Sequence, residues 1–187
     1  MSQSWCDSEI PTGVHFQAEL PIAWEPLPGP PAAAGEASVQ LANEDLLGNL
    51  LVLDEAVADA EEDAQQEHWR RVEAKLDLVL SLLGEMLARQ QGLPTARRVC
   101  LGGEVLCIDG ADNQPLPAPG AWLRLRVYLM PSIPRPLVVA AEVLPSETPK
   151  RLLLRLAGLP ESTRDLLERF VFRQHRRAIA QARSHAS

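Results

Sequence analysis

The sequence predicts an α+β chain. Short antiparallel strands form a small barrel or sandwich, a long coiled-coil helix is inserted after the first strand, and a C-terminal helix closes the chain. Three observations predict this. Trp69, Val72, Leu76, Val79, Leu83 and Met86 recur at alternating spacings of three and four, the a/d signature of a coiled-coil seam. After Gly92 the apolar period changes from near 3.5 to 2, the period of half-buried strands. From Ser162 it becomes helical again, with Leu166, Leu167, Phe170, Val171 and Ile179 on one face.

Taken in order, Val14 to Trp24 reads as extended, alternating through His15–Leu20 before Pro21. Glu25 to Glu36 reads as a linker, because Pro26, Pro28, Pro30 and Pro31 resist both helix and ladder. A first helix is expected over Asn43 to Ala58. Asn43 is its N-cap, and Leu46, Leu50, Leu53 and Val57 fall at helical spacing. Seven acidic residues then crowd Asp54 to Glu67 and break or hinge the pattern.

The main helix runs from about Gln65 to Gln91, stopped by Gly92 and Pro94. Trp69, Leu76 and Leu83 take position a; Val72, Val79 and Met86 take d. Leu80 and Leu87 at e and Leu82 at g widen the face. Leucine at a with a β-branched residue at d leans toward trimers or tetramers in parallel coils. These six residues are the expected oligomer interface.

Arg97 to Ile108 reads as one strand and Gly110 to Gly120 as a turn region. Trp122 to Met130 alternates: Leu123, Leu125, Val127 and Leu129 share one face, Trp122, Arg124, Arg126 and Tyr128 the other. Pro131 to Pro136 forms a loop. Leu137 to Leu144 and Arg151 to Ala157 are further strands. Ser162, with Asp165 three residues on, resembles a capping box opening a helix to about Arg183. The expected organisation is a single domain, 1–187, with a helical insertion at 43–91 (coiled coil about 65–91), barrel strands over 97–157 and a C-terminal helix over 161–183.

Composition narrows the function. The 187 residues carry a net charge of -7, which does not favour nucleic acid or anionic membranes. No stretch approaches the roughly 20 apolar residues of a membrane span. The first residues have no basic or apolar leader pattern. Three cysteines, Cys6, Cys100 and Cys107, form no regular framework, as in a reduced cytoplasmic protein. No GxSxG, Walker loop, GxGxxG after a strand or HExxH occurs, so no enzyme is expected.

The remaining features read as structural. Cys100 and Cys107 are small core residues, His15, His68 and His185 are scattered, and His175 is expected on a solvated face of the basic helix. Gly102-Gly103 is a bulge or turn. Asp59 to Asp63 lacks the spacing and central glycine of a calcium loop, so neither metal nor cofactor is expected. The basic run Arg173-Gln-His-Arg-Arg177 matches its charge to a helix C-terminus.

Leu20-Pro-Ile-Ala-Trp24, then Lys75-Leu76-Asp77-Leu78, then Leu167-Glu-Arg-Phe-Val-Phe-Arg-Gln-His-Arg-Arg-Ala-Ile-Ala180, in this order, resemble the atypical, tetrameric branch of the PilZ family. The resemblance covers about residues 14 to 183. It implies a six-stranded barrel with a C-terminal helix, and inserted helices that assemble as a four-helix coiled coil. It also implies a bacterial, cytoplasmic, non-enzymatic adaptor in cyclic di-GMP signalling, type IV pilus function or virulence-linked motility. Its partners would be copies of itself, as a tetramer, and a protein of those pathways.

The family's ligand motifs are absent. Typical members carry RxxxR before the first strand, and Ser2 to Gly13 contains no arginine. In the stretch that matches D/N-x-S-x-x-G, Val99 to Leu106, this chain has neither the Asp or Asn nor the Ser. Arginine suits both phosphate and guanine, so its absence argues against tight binding of cyclic di-GMP by the usual mode. Arg97 and Arg98, or the C-terminal arginines, are the alternative ligand-binding residues.

Overall fold

The computed structural model describes residues 13–31, 37–56, 76, 79, 83, 86, 92–110, 116–130, 133, 135–148 and 150–184. Six strands form a closed antiparallel barrel in the order β1-β2-β3-β6-β5-β4. They are β1 (His15–Leu27), β2 (Ala96–Gly102), β3 (Val105–Asp109), β4 (Trp122–Val127), β5 (Leu137–Leu144) and β6 (Arg151–Ala157). Two helices whose bounds are described accompany them, α1 (Ala37–Ala56) and α2 (Glu161–Ser184).

Closure depends on β1. Its first half, His15 to Pro21, pairs with β2, and its second half, Ile22 to Leu27, pairs with β4. Each half is therefore paired on one side, where proline is tolerated. This explains why the strand continues through Pro26, although the prolines predict a linker from Glu25. At the exchange point the Tyr128 amide donates to the Pro21 carbonyl at 3.0 Å.

The expected single strand over Arg97 to Ile108 is a hairpin instead. Gly102-Gly103-Glu104 turns the chain, and Cys100 faces Cys107 across it. The Glu104 carbonyl accepts from the Leu156 amide at 2.8 Å, tying the turn to β6. β5 and β6 occupy their expected spans.

Alternation fills the barrel. Leu123, Leu125 and Val127 point inward with Val139, Ala141 and Val143 from β5 and Leu152, Leu154 and Leu156 from β6. Burying each side chain of this size contributes about 1.5–3 kcal/mol. α1 adds Leu46, Leu47, Leu50 and Leu51, and α2 adds Leu167, Phe170 and Val171, to the same core. Phe170 meets Phe16 edge to face, with ring centroids 5.8 Å apart. A second cluster, Cys100, Cys107 and Leu153, lies apart from it.

Asn43 is not a helix cap. α1 begins six residues earlier, at Ala37, and Asn43 is 3% exposed. Its side-chain amide donates to the Val138 carbonyl at 2.7 Å, and its Oδ1 accepts from the Val138 amide at 3.0 Å. β6 stops pairing with β5 at Ala140–Ala157, short of Val138. A primary amide carries a donor and an acceptor in the same arrangement as a peptide. Asn43 thus extends the ladder by one rung and fastens α1 to the barrel.

Candidate functional site

Two regions concern function: the helical face after α1 and the hairpin β2–β3. The root of the helical region is tied at three places. Asn43 bonds β5 as above. The Glu44 carboxylate accepts from the Ser162 and Thr163 hydroxyls at the start of α2. Arg173 in α2 donates to the Leu51 carbonyl at 2.8 Å. Ser162 therefore lies inside α2 and serves Glu44; it does not cap the helix. These ties join α1, α2 and the barrel by polar contacts laid over the apolar core.

Leu76, Val79, Leu83 and Met86 are helical. Their exposures are 55%, 50%, 50% and 59%. The spacing of three, four and three residues puts them on one stripe of a helix, and the described protomer does not bury that stripe. Trp69 and Val72, the other two expected interface residues, lie outside the described residues, as do the flanking Leu80, Leu82 and Leu87 and the acidic residues from Asp59 to Glu67.

Arg97 and Arg98 are neighbours on β2 and so project to opposite faces. Arg97 follows the inward register of Val99 and Leu101 at the barrel rim. Its guanidinium sits 4.9 Å from the centroid of the Trp24 ring, a cation–π distance. Arg98 lies opposite Glu19 of β1 and is exposed. The strand therefore does not bring the two arginines together on one face.

At the hairpin, Leu101 is 1% exposed and belongs to the core, and Gly102 has no side chain to offer. A cleft there is lined by Gly102, Gly103, Glu104, Glu168, Arg169 and Phe172, among others. A Cβ on Gly103 would stand 2.7 Å from the Glu168 Cγ, so the turn lies close against α2. Glu104 pairs with Arg164 at 3.6 Å. The hairpin thus presents glycine and carboxylates where the resemblance looks for an Asp-x-Ser-x-x-Gly surface. The residues of the RxxxR region, up to position 12, lie outside the described residues.

The basic run on α2 is largely structural. Arg173 holds Leu51, the His175 Nδ1 lies 2.7 Å from the His15 carbonyl oxygen, and the Arg176 guanidinium lies 5.8 Å from the ring of the exposed Phe172. Cys107 is buried, and Cys100 is disulfide-bonded, which corrects the expectation of reduced thiols at the latter position. Cys6 lies outside the described residues. Among the described residues no group of three His, Cys, Asp or Glu side chains could hold a metal, and no helix is long and apolar enough to cross a membrane.

Sequence reasoning missed Asn43 as a ladder extension and the contact of Gly103 with Glu168. It placed Arg124 and Arg126 on the outer face of β4 but gave them no role. Both reach the same Glu25 Oε1, at 3.5 and 3.4 Å.

None of the curated protein sequences matches the chain. Among solved structures, a pathogenic protein from Xanthomonas campestris, a tetrameric PilZ domain self-assembled via an unusual helical bundle, is similar at 26% identity and a TM-score of 0.63. The match covers 94% of this chain and 95% of that one. The model of the atypical PilZ domain, cyclic di-GMP receptor, matches residues 46–184. The barrel, the helices that flank it and this match together place the chain in the atypical PilZ domain family.

Proposed function

We propose that this chain is a non-enzymatic adaptor in a cyclic di-GMP-related pathway, serving motility or type IV pilus function in the cytoplasm. It assembles with copies of itself, as a tetramer, through a coiled coil over about residues 65–91. Leu76, Val79, Leu83 and Met86 carry this reading, because a helical stripe of four large apolar side chains is half exposed in one protomer. Burying such a stripe between copies contributes about 25 cal/mol per Å² of apolar surface. Self-assembly of the Xanthomonas relative via a helical bundle supports it further. Leu76→Asp with Leu83→Asp is expected to reduce the light-scattering mass to that of a monomer while far-UV circular dichroism retains the barrel. An oligomeric mass in the double variant overturns the assembly reading.

The adaptor output does not need high-affinity binding of cyclic di-GMP by the family's usual motif. The hairpin residues support this, since Leu101 is spent in the core and Gly102 has no side chain to offer a ligand. A second reading rests on Arg97. Its guanidinium, stacked on Trp24 at the barrel rim, is pre-organised for stacking and for bidentate contacts to phosphate. Calorimetric titration with cyclic di-GMP separates the two. The first reading expects no saturable heat at micromolar concentrations. Saturable binding that is lost in Arg97→Ala installs the second.

A further inference from the structure

A cleft of 680 Å³ opens between the segment Leu27–Pro31, the first two turns of α1 and the start of β5. Its wall and floor are apolar, formed by Pro28, Pro31, Val39, Val138, Ala140 and Leu159. The proline segment is held close to the turn after β6. Pro31 Cγ lies 3.2 Å from where a Cβ on Gly158 would stand, and Gly158 has φ +71. Proline-rich walls fixed in this way spare an incoming ligand the ordering cost of forming them.

The polar groups of the cleft are few. Asn43 spends both ends of its amide on Val138, which leaves Gln40 and Arg124 among the described residues. Arg124 and its neighbour on the same face, Arg126, share a single oxygen of Glu25. Their side chains are 42% and 48% exposed. In the next cross-strand row Glu142 and Arg155 pair with each other. Among the described residues two guanidiniums therefore face one carboxylate at the rim of an apolar cleft, a surplus of positive charge and of N–H donors.

The chemistry that complements this surface is a bulky apolar group in the cleft and a carboxylate on the arginines. A nucleotide fits less well. Among the described residues no aromatic ring lines the cleft to stack a base. An acidic peptide satisfies both halves, with a leucine- or phenylalanine-sized side chain for the prolines and an adjacent aspartate or glutamate for the arginines. We propose that this cleft docks a partner-protein segment in which a carboxylate flanks one or two bulky apolar side chains. The proposal rests on the adaptor reading and names the chemistry of the partner.

The test is selection of a phage-displayed library of random seven-residue peptides on the full chain, followed by fluorescence polarisation with the enriched peptide. The expected result is convergence on an acidic residue beside an apolar one. Affinity should fall about tenfold or more in Arg124→Gln with Arg126→Gln, which is about 1.4 kcal/mol. A comparable loss is expected in Ala140→Trp, which fills the floor. If Ala140→Trp does not fold, the arginine pair, on an exposed face, decides alone. Failure of the selection to converge overturns the proposal. So do equal binding to the arginine double variant and displacement of the peptide by cyclic di-GMP, which would make the cleft a nucleotide site. The light-scattering mass of the arginine variant is expected to equal that of wild type, so this proposal and the assembly reading fail separately.

Discussion

Asn43 does with a side chain what one more residue of β6 would have done with its backbone. Both of its hydrogen bonds go to a single β5 residue, Val138, at a place where the ladder has run out. Asn43→Leu keeps the branched shape and removes both bonds, leaving the Val138 amide and carbonyl without their partner. Each unsatisfied buried group costs about 1–3 kcal/mol, so urea denaturation should show a loss of about 2–5 kcal/mol with an unchanged slope. Asn43→Asp keeps only the acceptor and buries a charge, and should be no better. None of this was legible in the sequence. Asparagine ahead of a leucine-rich stretch predicts a cap, because its side chain competes with helical backbone. Here a partner far along the chain engages that side chain, and the helix runs through it.

At the level of elements, legibility followed the strictness of alternation. β5 alternates without interruption and β6 except at the buried Leu153, and both occupy their expected spans. β2 and β3 defeated the same reasoning, since Arg97 to Ile108 keeps its apolar pattern across the turn and only the glycine pair marks the fold-back. β1 was cut short because proline predicts a break, yet a strand paired on one side tolerates it. The helical stripe belongs to this scale too. A carboxylate at position 76 and another at 83 would each face an apolar neighbour in a packed bundle. An unpaired buried charge costs several kcal/mol, enough to dissolve an interface of this length, whereas in an exposed stripe the same change is nearly neutral.

The whole molecule joins a barrel to a helical region through α1, whose apolar face enters the barrel core and whose polar ties reach β5 and α2. If assembly buries the stripe, copies stabilise one another by mass action, and the melting temperature should rise with protein concentration. A tenfold dilution series read by calorimetry should show this shift in wild type, and Leu76→Asp with Leu83→Asp should abolish it. The family and the barrel could be reached from residue order and period. The chemistry of the cleft could not, because Leu27–Pro31 and the start of α1 are remote in sequence from Arg124, Val138 and Leu159 and meet them only when the barrel closes.

That closure bears on how the chain is made. β1 emerges first from the ribosome, yet its partners lie far downstream: His15 pairs with Gly102, and Leu27 with Trp122. Such non-local pairings make folding slow, because the loop-closure entropy comes before the contacts that reward it. Throughout synthesis of the helical segment, the first strand has an unsatisfied edge along both halves. Such an edge is a template for pairing with other chains, and Glu19, Pro21, Glu25 and Pro26 along it are the residue types that discourage this. The prolines that obscure β1 to a reader of the sequence also protect it while it waits for β2 and β4.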